Sequence, residues 1–243
     1  MVRDDIESAA KCYDEVHSSW SNLEKIVRGN EFSIFLSHSF RNRNVVEIGL
    51  GDGIFTEMLA TQFNKVYAVD ASTTVLEKVK ERLSKYSNIV YIKSFVENLV
   101  MEESIDNIIM SHILEHVDDP VRALENVRNL CHSDTIVYLS VPNAMSIHRQ
   151  VGVKMGLLEK LNSLNEVDVR LGHKRVYYPE ELKSDVLKAG FQIIEFGGSM
   201  LKPLTNKQIE DTWSNEMIRG FIEVGKDYPE LCGDIYIVAK KGD

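Results

Sequence analysis

The chain has 243 residues, 44% hydrophobic and 27% charged, a globular balance that excludes disordered and collagen-like chains and, at roughly 100–200 residues per domain, predicts one large domain over 1–243. Lys and Arg number 28 against 37 Asp and Glu, for a net charge of −9. A surface that acidic repels phosphate backbones and anionic lipids, so neither nucleic acid nor a membrane is an expected partner.

The first residues, Met1-Val2-Arg3-Asp4-Asp5, lack the apolar run of a signal sequence, and no stretch approaches the ~18 apolar residues of a spanning helix. Cys12, Cys131 and Cys232 form neither a disulfide framework nor a paired metal motif. A cytoplasmic protein with reduced thiols is expected. Along residues 2–28, Ile6, Ala9, Ala10, Tyr13, Val16 and Trp20 recur at helical spacing and predict an amphipathic helix ended by Gly29 and Asn30. A second short helix is expected over 31–39, the two forming a helical cap over 1–40. Val45-Val46-Glu47-Ile48-Gly49 reads as a buried strand entering a glycine turn, followed by a helix over 54–62.

The elements then alternate. A strand over 66–69 leads to a helix that Ser72 can cap, running to Tyr86 with Leu76, Val79 and Leu83 inward. Strands follow over 89–92 and 106–110. Pro120 behind Asp118-Asp119 marks a helix start, the helix runs to about Leu130, and a strand over 135–141 stops at Pro142. Residues 144–176 are irregular and lean basic, with His148-Arg149 and His173-Lys174-Arg175 near the two ends. Pro179 opens a helix closed by Gly190, with a strand over 191–196, a helix over 206–224 and a last strand over 234–240. Repeated strand–helix–strand units mean crossover connections, hence an α/β fold around a doubly wound, mostly parallel sheet. Helical insertions over 143–178 and 198–232 are expected on the substrate side.

The most informative stretch is Glu47-Ile48-Gly49-Leu50-Gly51-Asp52-Gly53, a strand running through three glycines into a helix. Such a turn lets backbone approach a ligand closely and presents helix amides to it. Asp70 follows Gly51 by 19 residues at the end of the next strand, where an acid in a doubly wound fold can hold a ribose. A dinucleotide loop would need glycine at 54, where this chain has Ile54. The E-x-G-x-G-x-G spacing resembles motif I of class I S-adenosylmethionine-dependent methyltransferases. The resemblance continues through Val66-Tyr67-Ala68-Val69-Asp70 and through Asp106–Pro120, which carries Leu-Glu-His-Val-Asp-Asp-Pro. It covers about residues 40–142.

That resemblance implies a Rossmann-like methyltransferase fold with a seven-stranded sheet and S-adenosylmethionine as cofactor. It implies cofactor contacts at Gly49, Gly51 and Gly53 with Glu47 behind them, at Asp70 for the ribose, and at Ala71 beside the adenine. The acid that many members place after the third strand is replaced here by Phe95, leaving Phe95 packing and the Val96 amide for the adenine. Ser111 and His112, closing the fourth strand, would approach the methionine end.

A hydroxyl acceptor needs its proton removed, and His is the suitable base near neutrality. His112, at a carboxyl end of the sheet, and His116 are the catalytic candidates. Tyr13, His148, Arg149, His173, Arg175 and Tyr177 are candidate acceptor contacts, suited to a small hydroxyl-rich or anionic molecule such as a saccharide. Transfer to oxygen is favoured over nitrogen on the histidines alone. Asp118 and Asp119 read as helix caps and no Cys–His spacing suggests zinc, so no metal is expected. The alternatives are an NAD(P)-dependent oxidoreductase, which shares the ribose acid, and a non-catalytic adenosylmethionine-binding protein. The sequence leaves the oligomeric state open.

Overall fold

Both faces of a central parallel strand are covered, so its residues run apolar instead of alternating. Val45, Val46, Val66, Val69, Ile108, Ile109 and Val137 accordingly lie wholly or almost wholly buried. The computed structural model describes residues 6, 7, 10 and 21–242. In it these runs form β1 (Asn44–Ile48), β2 (Lys65–Asp70), β3 (Ile89–Lys93), β4 (Ile105–Ser111) and β5 (Cys131–Pro142). With β6 (Phe191–Gly198) and β7 (Asp234–Lys241) they make a seven-stranded sheet in the order β3-β2-β1-β4-β5-β7-β6. The first five are mutually parallel, and β7 runs antiparallel between β5 and β6. This is the expected doubly wound architecture.

Helices α1 (Asn22–His38), α2 (Ile54–Ala60), α3 (Thr73–Arg82), α4 (Pro120–Leu130), α5 (Ile147–Lys154), α6 (Glu166–Arg170), α7 (Pro179–Lys188), α8 (Asn206–Thr212) and α9 (Asn215–Asp227) surround it. One face packs Leu124, Val127, Leu182 and Val186 against the strands. The other packs Phe35, Phe55, Leu59 and Phe63 against Tyr138, Tyr236 and Val238. A third cluster, Leu23, Val27, Met200, Ile209, Ile218 and Ile222, ties α1 to α8 and α9. The expected caps hold: the Ser72 hydroxyl accepts from Val75 N and the Asp119 carboxylate from Arg122 N.

Two helix boundaries differ from the sequence reading. Gly29-Asn30 does not end a helix, because α1 runs straight through it from the Ser21 cap. Leu23, Val27, Glu31 and Phe35 form one buried stripe at four-residue steps, and its packing outweighs the ~1 kcal/mol that a mid-helix glycine costs. Residues 6, 7 and 10 are helical, while Ala9, Cys12, Tyr13, Val16 and Trp20 lie outside the described residues. The expected single helix over 206–224 is instead α8 and α9. Ser214 accepts from Met217 N and starts α9 afresh, and Trp213 turns inward to stack on Phe221 at 4.3 Å between ring centroids.

Asn107, wholly buried on β4, fastens the end of α1 to the sheet. Its Oδ1 accepts from Phe40 N (2.8 Å), and its Nδ2 donates to Phe40 O (3.1 Å) and Asn44 O (2.9 Å). Asn107→Leu keeps the volume but leaves a backbone N–H and two carbonyls without their partner. Urea unfolding is expected to show a loss of about 3 kcal/mol, and unchanged stability would refute this fastening.

Candidate active site

The chain leaves β1 toward β2 and leaves β4 toward β5, although β1 and β4 are neighbours. Where connections part in this way a crevice opens beyond the carboxyl ends of the strands. Here it is a cavity of about 590 Å³.

The glycine turn forms one wall. Gly49 has φ 82°, a left-handed conformation that favours glycine, and a Cβ there would stand 1.9 Å from Ile113 Cδ1 and displace that side chain. Gly49 and Gly51 face the cavity. Gly53 lies behind it, where it begins α2 in the left-handed conformation, and Asp52 Oδ1 closes the turn by accepting from Ile54 N at 3.0 Å. Glu47 is also behind the wall. Burial, with the charges of Asp52 and Asp70 adding, pushes its carboxyl up to about 8, so it is neutral at pH 7, and its Oε2 has no hydrogen-bond partner.

Asp70 faces the cavity from the end of β2, its oxygens accepting from Leu50 N (2.9 Å) and Ser72 N (2.8 Å). Ala71, Phe95 and Val96 continue the wall, and the exposed Phe95 ring gives a flat base an apolar surface. Ile6 and Ala10 cover this end. Glu7 pins them there, its carboxylate accepting from Thr73 N (2.8 Å), Thr74 N (3.3 Å) and the Ser72 hydroxyl (2.8 Å). Hydrogen bonding to Thr74 foremost holds Glu7 down at about 2 despite some desolvation. A bare glycine cradle, one carboxylate and an apolar slot together fit an adenosine-bearing ligand.

At the other end Ser111 shares a hydrogen bond with Ser140 (2.9 Å) and accepts one from Arg28 (3.2 Å). His112 follows in a left-handed conformation, φ 57°, held by its N–H to Ser140 O at 2.9 Å. That turn sends its ring inward: Nδ1 lies 3.1 Å from Glu115 Oε1, and Nε2 is buried without a partner. Burial and Arg28 pull the His112 pKa down, but Asp234 and Glu115 outweigh them and hold it above the usual value. Glu115 is wholly buried. Desolvation opposes its charge, yet His112, His116 and His173 together bring it to about 2. His116 faces the cavity with its pKa lowered chiefly by burial.

Of the expected acceptor contacts, His148 and His173 face the cavity. Burial first, then the Lys202 charge, pushes His148 down to about 3, so its ring is neutral. Arg149 borders the cavity, but its guanidinium is engaged by the carbonyls of Leu161 and Ser163 and the Asp168 carboxylate. Arg175 does not reach the wall. It donates to the carbonyls of Leu114 (2.8 Å), Val117 (2.7 Å) and Asp118 (3.1 Å). Tyr177 is core, 2% exposed, with its hydroxyl on Asp185. Tyr13 lies outside the described residues. Sequence shows that such residues can donate, not that inward-facing carbonyls take their donors. Arg28, Lys202, Asn206 and Asp234 also line the cavity and were not anticipated. They arrive from α1 and from the last 45 residues, with no local motif to mark them.

A family model described as a methyltransferase domain matches residues 25–195. The chain belongs to this family and is a class I S-adenosylmethionine-dependent methyltransferase. It is similar to malonyl-[acyl-carrier protein] O-methyltransferase 1 of Ilyobacter polytropus, 23% identical over 196 residues, covering 79% of this chain and 67% of that one. Ubiquinone biosynthesis O-methyltransferase of Haemophilus ducreyi is 26% identical over 174 residues, 68% of this chain and 72% of that one. Among solved structures, N-methyltransferase NodS of Bradyrhizobium japonicum WM9 with S-adenosyl-L-homocysteine superposes with a TM-score of 0.62 at 13% identity, covering 97% and 98% of the two chains. A methyltransferase of Clostridium acetobutylicum gives 0.64 at 14% identity, covering 96% and 98%. These last two likenesses are of fold. Methyl transfer thus displaces the dehydrogenase and the passive-binding alternatives. Among the described residues no helix is long and apolar enough to cross a membrane.

Two outcomes follow from this geometry. Glu47 has a folded pKa of about 8 against 4.5, so the unfolded chain ionises first and stability falls as pH rises between those values. Glu47→Gln is expected to gain on the wild type across that window, by at most about 1.4 kcal/mol per pH unit, in urea unfolding at pH 5 to 8. A pH-independent difference would refute the neutral carboxyl. Arg175→Ala is expected to cost about 2 kcal/mol and lower Tm by about 4–8 °C, measured by thermal unfolding.

Proposed function

We propose that this enzyme methylates a hydroxyl oxygen of a small molecule, with His112 as general base. The observation that carries the reading is the His112 ring: Glu115 orients Nδ1, while Nε2 is buried, faces no partner and belongs to a residue lining the cavity. A hydroxyl is a poor nucleophile until its proton leaves, and a positioned base contributes roughly 10²–10⁴-fold. Cofactor contacts are assigned to Gly49, Gly51, Asp70, Ala71, Phe95, Val96 and Ser111, with Glu47 and Gly53 supporting the loop from behind.

Bound S-adenosylmethionine supplies an electrophilic methyl group on a sulfonium. The chain's part is to align the acceptor with it, which can lower the barrier by several kcal/mol, and to accept the hydroxyl proton at His112 Nε2 as the oxygen–methyl bond forms and the carbon–sulfur pair returns to sulfur. The outer cavity mixes Lys202, Asn206 and His148 with Glu24 and Asp234. Such interspersed donors and acceptors suit a polyhydroxylated molecule, a saccharide among them, better than a polyanion. Two relatives named above are O-methyltransferases, one acting in ubiquinone biosynthesis and one on malonyl-[acyl-carrier protein], which supports oxygen as the accepting atom.

The test is labelled methyl transfer from S-adenosylmethionine to a panel of sugars, phenols, carboxylic acids and amines. Transfer to a hydroxyl acceptor is expected, with His112→Asn lowering kcat by about 10²-fold or more while S-adenosylhomocysteine affinity stays within threefold. Amine-only methylation, or full turnover by His112→Asn, would refute the reading.

A further inference from the structure

We propose that Glu115, His116 and His173 form a binding site for one divalent transition-metal ion at the acceptor end of the cavity. This deepens the reading above, on which it rests, by naming what would hold the acceptor oxygen. One donor atom from each of the three residues lies within 4.8 Å of the others, so modest side-chain rotation brings them to the spacing of a first-row metal's ligands. His116 and His173 stand edge to face, ring centroids 4.8 Å apart, and both line the cavity, leaving an open side for a further ligand.

His173 is flanked as metal-ligating histidines commonly are, with a carboxylate beside one ring nitrogen. His173 Nδ1 lies 3.2 Å from Asp168 Oδ1 without an aligned hydrogen bond, and its side chain is only 9% exposed. Glu115 engages His112 through Oε1, while Oε2, in a side chain with no exposure, has no hydrogen-bond partner. A buried carboxylate oxygen left unmatched is costly, and a cation between it and two imidazoles removes that cost.

A second trio, Glu31, His112 and Asp234, has similar spacing but is already engaged. Glu31 accepts from Arg28 at 2.8 Å and from the Ser199 hydroxyl at 2.6 Å. In that trio the unmatched atom is the neutral-capable His112 Nε2, whereas in the first it is a carboxylate oxygen, Glu115 Oε2. Two imidazoles and one carboxylate suit zinc, iron, manganese or cobalt, whereas calcium and magnesium prefer oxygen ligands. One carboxylate against a dication leaves a net positive centre. An acceptor hydroxyl bound there would be acidified, its proton passing to His112 Nε2 as before and its oxygen bonding to the methyl carbon.

Chelator-treated protein is titrated with Co²⁺, read by its visible ligand-field spectrum, with S-adenosylhomocysteine binding measured on the same samples. One equivalent of Co²⁺ with the intensified spectrum of a nitrogen-ligated, low-coordinate ion is expected. Asp168→Asn should weaken binding about 10–100-fold and His173→Ala should abolish it, both still binding S-adenosylhomocysteine. That retained binding shows that the variants fold. A spectrum no different from hydrated Co²⁺ in wild-type protein that binds S-adenosylhomocysteine, or undiminished Co²⁺ binding by His173→Ala, overturns the site. Cobalt binding without S-adenosylhomocysteine binding supports the metal site and overturns the methyl-donor reading instead.

Discussion

The parting of the chain between β1 and β4 is the constraint on which the rest depends. Two parallel neighbours whose connections leave in opposite directions cannot both cover the gap above their carboxyl ends, so that gap stays open. Only loop residues can furnish it, and the two loops supply opposite kinds of surface. The turn after β1 offers backbone, because its left-handed conformation at Gly49, with Ile113 close by, favours glycine there. The turn after β4 offers side chains, because the left-handed backbone at His112 sends its ring inward against Glu115. An adenosine-sized end and a polar end of one cavity follow from that division.

The polar end is held by hydrogen bonds between segments almost sixty residues apart. Lys174 N donates to Glu115 O at 2.7 Å, and Arg175 spans three carbonyls over 114–118. Arg175 lies next in chain to the residues it positions and touches none of the cavity itself. Its charge is satisfied by carbonyl dipoles, which leaves the acidic side chains nearby free to face imidazoles. The crowding of His112, His116 and His173 around one buried carboxylate is thereby a property of the loop pairing as much as of the residues.

What was legible in the sequence was local. Val45-Val46 before glycines, Pro120 behind two aspartates and Gly190 after a helical stripe each state their own conformation, and a mostly parallel sheet follows from alternation with crossovers. Asp70 and His112 were legible as cavity residues because they stand at strand ends whose carboxyl sides must face the crevice, whereas Phe95 and Ser111 were expected there only through the family resemblance. Arg175 and Tyr177 misled because a side chain's ability to donate does not reveal whether carbonyls or a hydrophobic core await it. Gly29 misled because its helical cost is outweighed by contacts of Leu23 and Phe35 with partners far along the chain. The gathering of His173 with Glu115 and His116 had no local signal, since it exists only after residues 172–175 dock.

The placement of β7 also ties the edge of the sheet to the cavity. β6 pairs with no strand except β7, and β7 is the last element of the described chain. Only through residues 234–241, inserted beside β5, is β6 joined to the rest of the sheet, and the same segment brings Gly233 and Asp234 to the cavity wall. Loss of that one strand from the sheet would therefore unmake part of the acceptor wall and expose unpaired strand edges that invite aggregation.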